Sequence, residues 1–488
     1  MKVLFVTAPW AFSELYPERM SGKSTITGAS PPLGILYLSA VLKRGGHTTG
    51  FVDGMNQTYE WVLDRIREEA PDMIGISCTT FAWARSAELC RRVKAVMPEI
   101  KTLVGGPHVT GVIMGCLEDG VDYGLMHDAE EGMGMLADRL RDNGPLNDIP
   151  GLVYRLPNGK PMFNPYRYMK NLDSLPLPDY DLLDIRQYPP SIAFYNRLPS
   201  MTMMTTRGCP SECSFCDAVS NFRVRSIDNV MEEIRFLQDR YGLRHVLFYD
   251  EDLALAKKRL HEMCHRFLDE KVDLTWCCNA RADSLDNETI LLMKKAGCWR
   301  ILIGMETGTQ AMLDKIMKGT TLEELKSKAK MVRRAGIEVM GTFILGLPGE
   351  TYAMGMKTID FAIECDLDYA IFLKLTPFPG TAIARDIEKH GTLTGVYVPN
   401  LIPFVPNTMT EDELAKLSTE AIRRFYMRPT YLIKRGLKMR SWSDLERNLR
   451  GFMSFFGLQP GEYQAAVRKA QVNTIPGAPV RELVGAAS

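Results

Sequence analysis

The chain has 488 residues, of which 45% are hydrophobic and 24% are charged, a composition typical of a globular protein. Its 59 basic and 59 acidic residues balance, which argues against an overall electrostatic attraction to nucleic acid. No apolar run approaches the ~18 residues that span a bilayer, and we interpret the short apolar start as a buried strand and not as a signal peptide. Eleven cysteines, most of them single and inside apolar segments, indicate the reducing cytosol and predict a cytoplasmic protein.

Residues 1–145 alternate short apolar runs with helical patterns. The expected strands are Val3–Thr7, Thr49–Val52, Met73–Ser77 and Thr102–Val104, and the expected helices are Leu33–Lys43, Trp61–Glu69 and Ala84–Val96. This alternation predicts a doubly wound α/β domain, in which helices cover both faces of a parallel sheet. Ligands of such sheets bind beyond the carboxyl ends of the strands, so the loops after Val52, Ser77 and Val104 form the candidate binding edge.

A proline-rich stretch, residues 146–198, is predicted to be an ordered connector with a hairpin around Asn158 and Gly159. Residues 199–385 then begin a second alternation. The expected strands are Met201–Thr205, His245–Tyr249, Leu274–Cys278, Arg300–Met305, Val339–Leu345 and Ala370–Leu375. Strand–helix units in this number predict a partial (β/α)6 barrel of the TIM type, with its chemistry at the carboxyl ends of the strands.

Residues 386–488 are predicted to form a helical carboxy-terminal domain. Thr410 and Glu413 form a capping-box pattern at the start of an apolar helical period. The segment 423–450 carries nine Lys or Arg residues against two acidic ones, with aromatic residues among them. A solvated helical face explains this pattern, and the alternative is peripheral contact with an anionic substrate or a membrane surface.

The spacing Cys-x3-Cys-x2-Cys occurs at Cys209, Cys213 and Cys216, directly after the first strand of the second alternation. Thiolates are soft ligands that suit zinc or an iron–sulfur cluster. Three thiolates so close together can bind three irons of a cubane cluster and leave its fourth iron open to another ligand. A zinc site is the alternative, but no fourth Cys or His follows Cys216 closely. The location, where a barrel carries its active-site loops, favours the cluster.

The cysteine segment resembles the signature of radical S-adenosylmethionine (SAM) enzymes, including the aromatic Phe215 before the last cysteine. The resemblance implies a [4Fe–4S] cluster on the three cysteines, with the amine and carboxylate of SAM on the fourth iron. An electron from a donor such as flavodoxin or ferredoxin then cleaves SAM to methionine and a 5′-deoxyadenosyl radical. The SAM contacts that the resemblance implies are Asp250 and Asp252 for the amine, Arg281 for the carboxylate, Glu306 for the ribose and Gly346 for the adenine side. Each acidic strand end, taken singly, also fits a helix cap.

The amino-terminal domain resembles the cobalamin-binding domain that is fused to many radical SAM enzymes. The resemblance is carried by residues 30–38, 45–47, 52–53 and 105–108. It implies that the nucleotide tail of cobalamin passes small residues at the strand ends, and the candidates are Asp53, Ser77, Gly105 and Gly106. Met55 stands where the motif Asp-x-His-x-x-Gly has its cobalt-ligating histidine, so no histidine ligand to cobalt is expected. A doubly wound domain that binds nothing is the alternative.

Together the two resemblances imply a cobalamin-dependent radical SAM enzyme that acts on a small-molecule, lipid or tetrapyrrole-like substrate. The favoured reaction is methyl transfer to an unactivated carbon or phosphorus centre. The alternative is a radical oxidation or ring closure, as in the anaerobic magnesium-protoporphyrin monomethyl ester cyclase. A methylthiotransferase is disfavoured because the amino-terminal domain offers no second three-cysteine cluster. A non-catalytic cobalamin or SAM sensor is disfavoured because it would not need a reducible, open iron.

Two adjacent cysteines, Cys277 and Cys278, end the third expected barrel strand. Because strand side chains alternate, one thiol should point into the barrel and the other toward the helices. The inward thiol is a candidate hydrogen-atom donor to a substrate radical, and simple packing of both side chains is the alternative.

Overall fold

The computed structural model describes residues 1–10, 30–118, 120–188, 190–191, 193–218, 220–393 and 404–438. In the amino-terminal domain the strands are β1 (Lys2–Val6), β2 (Thr48–Val52), β3 (Met73–Ser77), β4 (Lys101–Gly105), β5 (Tyr123–Leu125), β6 (Leu152–Arg155) and β7 (Pro161–Phe163). The helices are α1 (Leu33–Arg44), α2 (Tyr59–Glu69), α3 (Trp83–Val96), α4 (Pro107–Val112) and α5 (Glu130–Asp142).

These strands form one sheet in the order β2-β1-β3-β4-β5-β6-β7. The first five are parallel, and β6 and β7 join antiparallel. Apolar side chains of α1 and α5 bury one face of the sheet, and those of α2 and α3 bury the other. The doubly wound prediction is therefore confirmed. The hairpin expected in the connector is β6–β7, and its pairing with β5 extends the amino-terminal sheet to Phe163.

The barrel strands are β8 (Ser200–Met203), β9 (Thr206–Arg207), β10 (Arg223–Val224), β11 (His245–Phe248), β12 (Thr275–Ala280), β13 (Cys298–Glu306), β14 (Glu338–Leu345) and β15 (Tyr369–Lys374). The helices are α6 (Ile227–Tyr241), α7 (Lys257–Asp269), α8 (Asn287–Lys295), α9 (Gln310–Lys315), α10 (Leu322–Arg334) and α11 (Tyr352–Glu364). Side-chain caps begin several of these helices. The hydroxyls of Ser226, Thr321 and Thr351 each accept a backbone N–H of the first turn.

The barrel sheet has the order β15-β14-β13-β12-β11-β8, and every neighbouring pair in it is parallel. Its edges are β15 and β8, so the barrel is partial, as the sequence predicts. The short strands β9 and β10 stand apart as an antiparallel hairpin. Residues 208–222 lie between the strands of this hairpin, so it carries the three-cysteine motif.

The connector is an ordered segment with single turns at Leu172–Ser174, Tyr180–Leu182 and Ile185–Gln187, and its last residues cross the amino-terminal end of the barrel. Near its end, the Phe194 carbonyl lies 2.9 Å from His245 Nε2 at the start of β11. The connector therefore closes the barrel opposite to the end where chemistry is expected.

After the barrel come β16 (Gly391–Leu393), β17 (Phe404–Pro406), α12 (Glu411–Tyr426) and α13 (Pro429–Lys438). The capping box of Thr410 and Glu413 is present at the start of α12, whose apolar side packs on α11 and the sheet. Residues 439–488 lie outside the described residues, so the peripheral contact expected for 423–450 stays a prediction. Among the residues that the structure describes, no helix is long and apolar enough to cross a membrane.

Candidate active site

The β9–β10 hairpin holds the cysteine loop closed at its base. Gly208 has φ +83°, and a Cβ at this position would come within 2.4 Å of Ser220 Oγ and 2.5 Å of the Asn221 carbonyl. The Cys209 N–H donates to the Ala218 carbonyl at 3.1 Å, and the Ser220 N–H donates to the Cys209 carbonyl at 3.0 Å. The turn needs glycine because the returning chain occupies the space of a side chain.

The three motif cysteines are free thiols gathered in this one loop. Burial raises the pKa of Cys216 to about 11, while the Ala218 N–H, 3.4 Å from its sulfur, favours the thiolate. Arg281 Nη1 lies 3.6 Å from Cys213 Sγ. Within the described ranges, no group of three or more His, Cys, Asp or Glu side chains is placed to hold a metal ion.

A buried ion pair lies beside the same loop. Lys318 Nζ is 2.6 Å from Glu306 Oε1, and both side chains are 7% exposed. A Cβ on Gly304 would come within 2.3 Å of that oxygen and 2.7 Å of that nitrogen, so only glycine leaves room for the pair at the end of β13. Arg281 Nη2 donates to the Lys318 carbonyl at 2.8 Å. The structure therefore brings Arg281 and Glu306 together near Cys213, as expected, and adds Lys318, which belongs to no motif in the sequence.

The acidic turn after β11 contains both buried and exposed carboxylates. Asp250 is fully buried and accepts the Thr205 N–H at 3.0 Å and its hydroxyl at 2.9 Å. Asp252 is also buried and accepts the Ser284 hydroxyl and, at 3.2 Å, the Ala254 N–H. Burial raises the pKa of both carboxyls.

Between these two acids, Glu251 is exposed in part; burial raises the pKa of its carboxyl, and the backbone of Gly208 at the base of the cysteine loop lowers it. The resemblance implies Asp250 and Asp252 as the amine contacts and does not single out Glu251. The amine-binding roles of Asp250 and Asp252 stay predictions, and Glu251 is the carboxylate that reaches the cluster loop.

The residues expected at the adenine side lie in one apolar cluster and its border. Phe215 packs against Ile316 and Leu347. Gly346, with φ +82°, ends β14 and donates its N–H to Glu350 Oε2 at 2.6 Å. Burial raises the pKa of Glu350 to about 7. The contacts of Phe215 and Gly346 with SAM stay predictions.

The adjacent cysteines of β12 point to opposite sides of the sheet, as strand alternation predicts. Cys277 Sγ lies 3.4 Å from the Phe194 carbonyl and 3.6 Å from His245 Nε2, so it faces the closed, amino-terminal end of the barrel. Cys278 packs in the core beneath the helices, near Cys298. Both thiols are fully buried. These contacts favour the packing alternative, and the hydrogen-donor role stays a prediction.

The binding edge expected in the amino-terminal domain is lined by small and polar residues. Asp53 accepts the Thr7 hydroxyl at 2.6 Å and the Tyr188 hydroxyl at 2.7 Å, so it anchors the connector to this edge. Ser77 is exposed, and a Cβ on Gly105 would meet its first neighbour only at 3.5 Å.

Gly106, at φ +95°, packs directly on the backbone of Cys78. An edge of this kind lets a large ring or its tail approach the backbone closely, which fits cobalamin. Residues 11–29 lie outside the described residues, and the ligand expectation for Met55 stays a prediction.

The carboxyl edges of the two sheets face each other. The rings of Phe81, after β3, and Phe378, after β15, meet edge to face at 5.7 Å. Gly111 in α4 packs so closely on Pro379 that a Cβ would come within 2.2 Å of its carbonyl oxygen. Arg207 of the hairpin forms ion pairs with residues that follow β5. The candidate cobalamin edge and the cluster loop therefore adjoin the same interface between the domains.

Comparison with known proteins agrees with this two-site geometry. The sequence model of the Radical SAM superfamily matches residues 203–362, and that of the B12 binding domain matches residues 23–137. An uncharacterized methyltransferase of Pyrococcus horikoshii is 30% identical over 476 residues, which cover 93% of this chain and 99% of that protein. The anaerobic magnesium-protoporphyrin IX monomethyl ester cyclase of Rubrivivax gelatinosus is 28% identical over 457 residues, 88% of this chain and 78% of the cyclase.

A solved structure shares the whole architecture. The radical S-adenosylmethionine methyltransferase TsrM of Kitasatospora setae, with cobalamin and a [4Fe–4S] cluster bound, superposes with a TM-score of 0.65. The identity is 18%, and the match covers 93% of this chain and 99% of that one. At this identity the likeness shows a common fold.

Proposed function

Because the chain belongs to the radical SAM enzymes that carry a cobalamin-binding domain, we propose that it methylates an unactivated carbon or phosphorus centre of a small organic substrate. Its cofactors are a [4Fe–4S] cluster, SAM and cobalamin. The observation that carries the proposal is the opposition of the two carboxyl edges, which brings both cofactor sites to one interface between the domains. When bound, the cluster and SAM supply radical initiation, and cobalamin supplies a methyl carrier.

In this proposal the chain's own residues bind the cofactors, orient them and neutralise their charges. Cys209, Cys213 and Cys216 hold the cluster. Arg281 and Lys318 offset the negative charge of the thiolates and of the SAM carboxylate, because Arg281 lies 3.6 Å from Cys213 and donates to the Lys318 carbonyl. Glu306, at the end of β13, supplies a carboxylate for the ribose hydroxyls. Glu251, next to the cluster loop, supplies one for the methionyl amine.

Oxidative ring closure is the second candidate, supported by the likeness to the cyclase of Rubrivivax gelatinosus over 88% of this chain. Both candidates suit a small organic substrate, tetrapyrrole-like or lipid molecules included. Both also need an outside one-electron donor, and an acidic flavodoxin or ferredoxin is the proposed partner. All eleven cysteines are free thiols, which supports a reducing compartment such as the cytoplasm.

Product analysis separates the two candidates. The reconstituted, reduced holoenzyme is incubated anaerobically with SAM and each candidate substrate, and S-adenosylhomocysteine and 5′-deoxyadenosine are quantified. Methyl transfer produces both in proportion to product. Formation of 5′-deoxyadenosine and product without S-adenosylhomocysteine would contradict methyl transfer and establish the oxidative reaction. Cys213→Ala is the control that should form neither product from SAM.

A further inference from the structure

Four charged side chains join the two domains beside the cluster loop, and we call them the interdomain ionic network. They are Asp128 and Glu130, which follow β5, and Arg207 and Arg223, which belong to the β9–β10 hairpin. Arg207 Nη2 lies 2.6 Å from Glu130 Oε1, and its Nη1 lies 3.2 Å from Asp128 Oδ1. Arg223 binds the other oxygen of Asp128. The two positive and two negative charges balance within the network.

The position of the two arginines in the chain makes the network unusual. Arg207 immediately precedes the cluster loop and Arg223 immediately follows it, and the two pair with each other in the hairpin ladder. Both ends of the loop are therefore tied to Asp128 on the other domain, and the first end is tied to Glu130 as well. Each arginine also lies over a tyrosine ring outside the barrel, Arg207 over Tyr37 at 5.4 Å and Arg223 over Tyr168 at 4.7 Å.

Burial separates this network from an ordinary surface ion pair. The side chains of Arg207 and Arg223 are 13% and 10% exposed, and those of Asp128 and Glu130 are 12% and 6% exposed. Removing charges from water offsets most of the attraction between them, so such a network adds little net stability. A buried network with matched geometry instead fixes the relative position of the segments to which its side chains belong.

We propose that Arg207 and Arg223 are positioning residues that hold the cluster loop at a fixed distance from the cobalamin edge. The inference rests on the proposed function only in that both cofactors occupy their sites. Asp128 lies three residues beyond Leu125, the last residue of β5, and Leu125 pairs with Gly105 of β4. A shift of the network therefore moves the cluster loop relative to the edge that faces it, without changing any ligand of either cofactor.

Magnetic coupling between the two cofactors tests the proposal directly. In the holoenzyme, partial reduction leaves cobalt as Co(II) and the cluster reduced, and both are paramagnetic. Their dipolar splitting in the electron paramagnetic resonance spectrum depends on the distance between them. We expect a resolved splitting in the wild type, loss of its resolution in Arg207→Met, and recovery of it in Arg207→Lys, which retains the charge.

The matched control is Arg197→Met, which removes a bidentate pair with Asp273 at the surface, away from the interface between the domains. Its spectrum should equal that of the wild type. An Arg207→Met protein with both cofactors bound and an unchanged splitting would overturn the proposal. So would loss of the cluster with a normal fold in both Arg207→Met and the isosteric Glu130→Gln, because the network would then only stabilise the loop.

A second readout is the yield of product per 5′-deoxyadenosine. Under the proposal this ratio falls in Arg207→Met and Glu130→Gln while the SAM dissociation constant stays near that of the wild type. Failure of the proposed function is recognised separately, since the wild type itself would then form no S-adenosylhomocysteine, whereas the splitting would still report the geometry.

Discussion

The two ends of the barrel use the same side-chain types in opposite ways. At the amino-terminal end, Arg300 is fully buried, stacks 4.0 Å from the Trp299 ring and 4.2 Å from the Tyr369 ring, and pairs with Glu338. Arg435 from α13 pairs with the same carboxylate at 3.0 Å. The two arginines hold the pKa of Glu338 at about 2 in spite of its burial.

At the carboxyl end, Arg281, Lys318 and Glu306 adjoin free thiols and glycines instead of aromatic rings. Lys318 and Glu306 lie over Gly304, and Arg281 reaches Cys213. A buried arginine or lysine is therefore not by itself a sign of an active site. An active site is indicated by a cation whose surroundings leave room for a ligand, whereas a cation enclosed by aromatic rings and carboxylates stabilises the fold. Substitutions at the two ends should therefore have different effects.

Removal of one cluster thiol at the carboxyl end should have the largest effect. Cys213→Ala is expected to abolish the iron–sulfur absorbance and the formation of 5′-deoxyadenosine, because the cluster loses one of its protein ligands. Iron content, visible absorbance and SAM products are the measurements. Cys365→Ala, which removes the buried thiol that directly follows α11, is the control and should retain the iron, the absorbance and the SAM products. A Cys213→Ala protein that still cleaves SAM would contradict the cluster assignment.

Mutations at the amino-terminal end of the barrel should lower the stability of the protein and leave its chemistry unchanged. Arg300→Met leaves Glu338 buried with one of its cations removed, and such a change costs about 3 kcal/mol of the free energy of unfolding. Denaturant unfolding measures this loss, and the folded variant should bind SAM as the wild type does. Arg65→Met, which breaks an exposed pair with Glu68, should cost less than about 1 kcal/mol. A selective loss of SAM binding in Arg300→Met would remove the distinction between the two ends.

The acids near the ends of β14 should respond oppositely to pH. Glu338 begins the strand with its pKa lowered, whereas Glu350, after its end, has a pKa raised from 4.5 to about 7 by burial. Between pH 4.5 and 7 the folded protein keeps a proton on Glu350 that the unfolded chain has released, so the free energy of unfolding falls as pH rises.

Glu350→Gln removes this titration. Relative to the wild type, the variant should gain about 2 kcal/mol between pH 5 and pH 8, as urea unfolding at several pH values would measure. Exposed Glu388→Gln is the control and should give a difference that does not vary with pH. A pH-independent difference for Glu350→Gln as well would refute the raised pKa.

The smallest expected effect is on SAM affinity. Lys318→Met should weaken SAM binding about tenfold, equivalent to ~1.4 kcal/mol, because one of the two cations near the proposed carboxylate position is lost. Binding isotherms on the cluster-loaded protein measure the change, with Lys326→Met, in a partly exposed pair with Glu364, as the control. The double variant Lys318→Met with Glu306→Gln removes the unpaired buried charge. It should recover stability while its SAM affinity falls further, because Glu306 is the proposed ribose contact. Affinity restored to the wild-type level would show that neither side chain contacts SAM.

Local patterns predicted the features that depend on a few neighbouring residues. The strand alternation gave all six barrel strands, and the spacing of Cys209, Cys213 and Cys216 identified their loop, because each signal lies within one segment. Lys318 escaped detection because its contact with Glu306 depends on how the loop after α9 returns over Gly304. The pairing of Arg207 with Asp128, 79 residues away in the sequence, likewise depends on the docking of two domains.

The acidic turn after β11 shows the limit of pattern most clearly. Three consecutive acids follow Tyr249, and alternation along a strand no longer applies once the strand has ended at Phe248. Whether an acid anchors the turn or faces the interface is decided by Thr205 and Ser284, which come from other segments and bury Asp250 and Asp252. The sequence could therefore indicate a carboxylate at this strand end but not which one.

Metal content tests most directly whether one chain brings both cofactors to one interface between its domains. The protein is reconstituted anaerobically with iron, sulfide and excess hydroxocobalamin, freed of unbound cofactor, and analysed for iron and cobalt. The account predicts about four iron atoms and about one cobalt per chain in the wild type. It predicts that Cys213→Ala loses the iron and keeps the cobalt. Iron at the expected level with no retained cobalt would contradict it, because the amino-terminal domain would then be a doubly wound fold that holds no cobalamin.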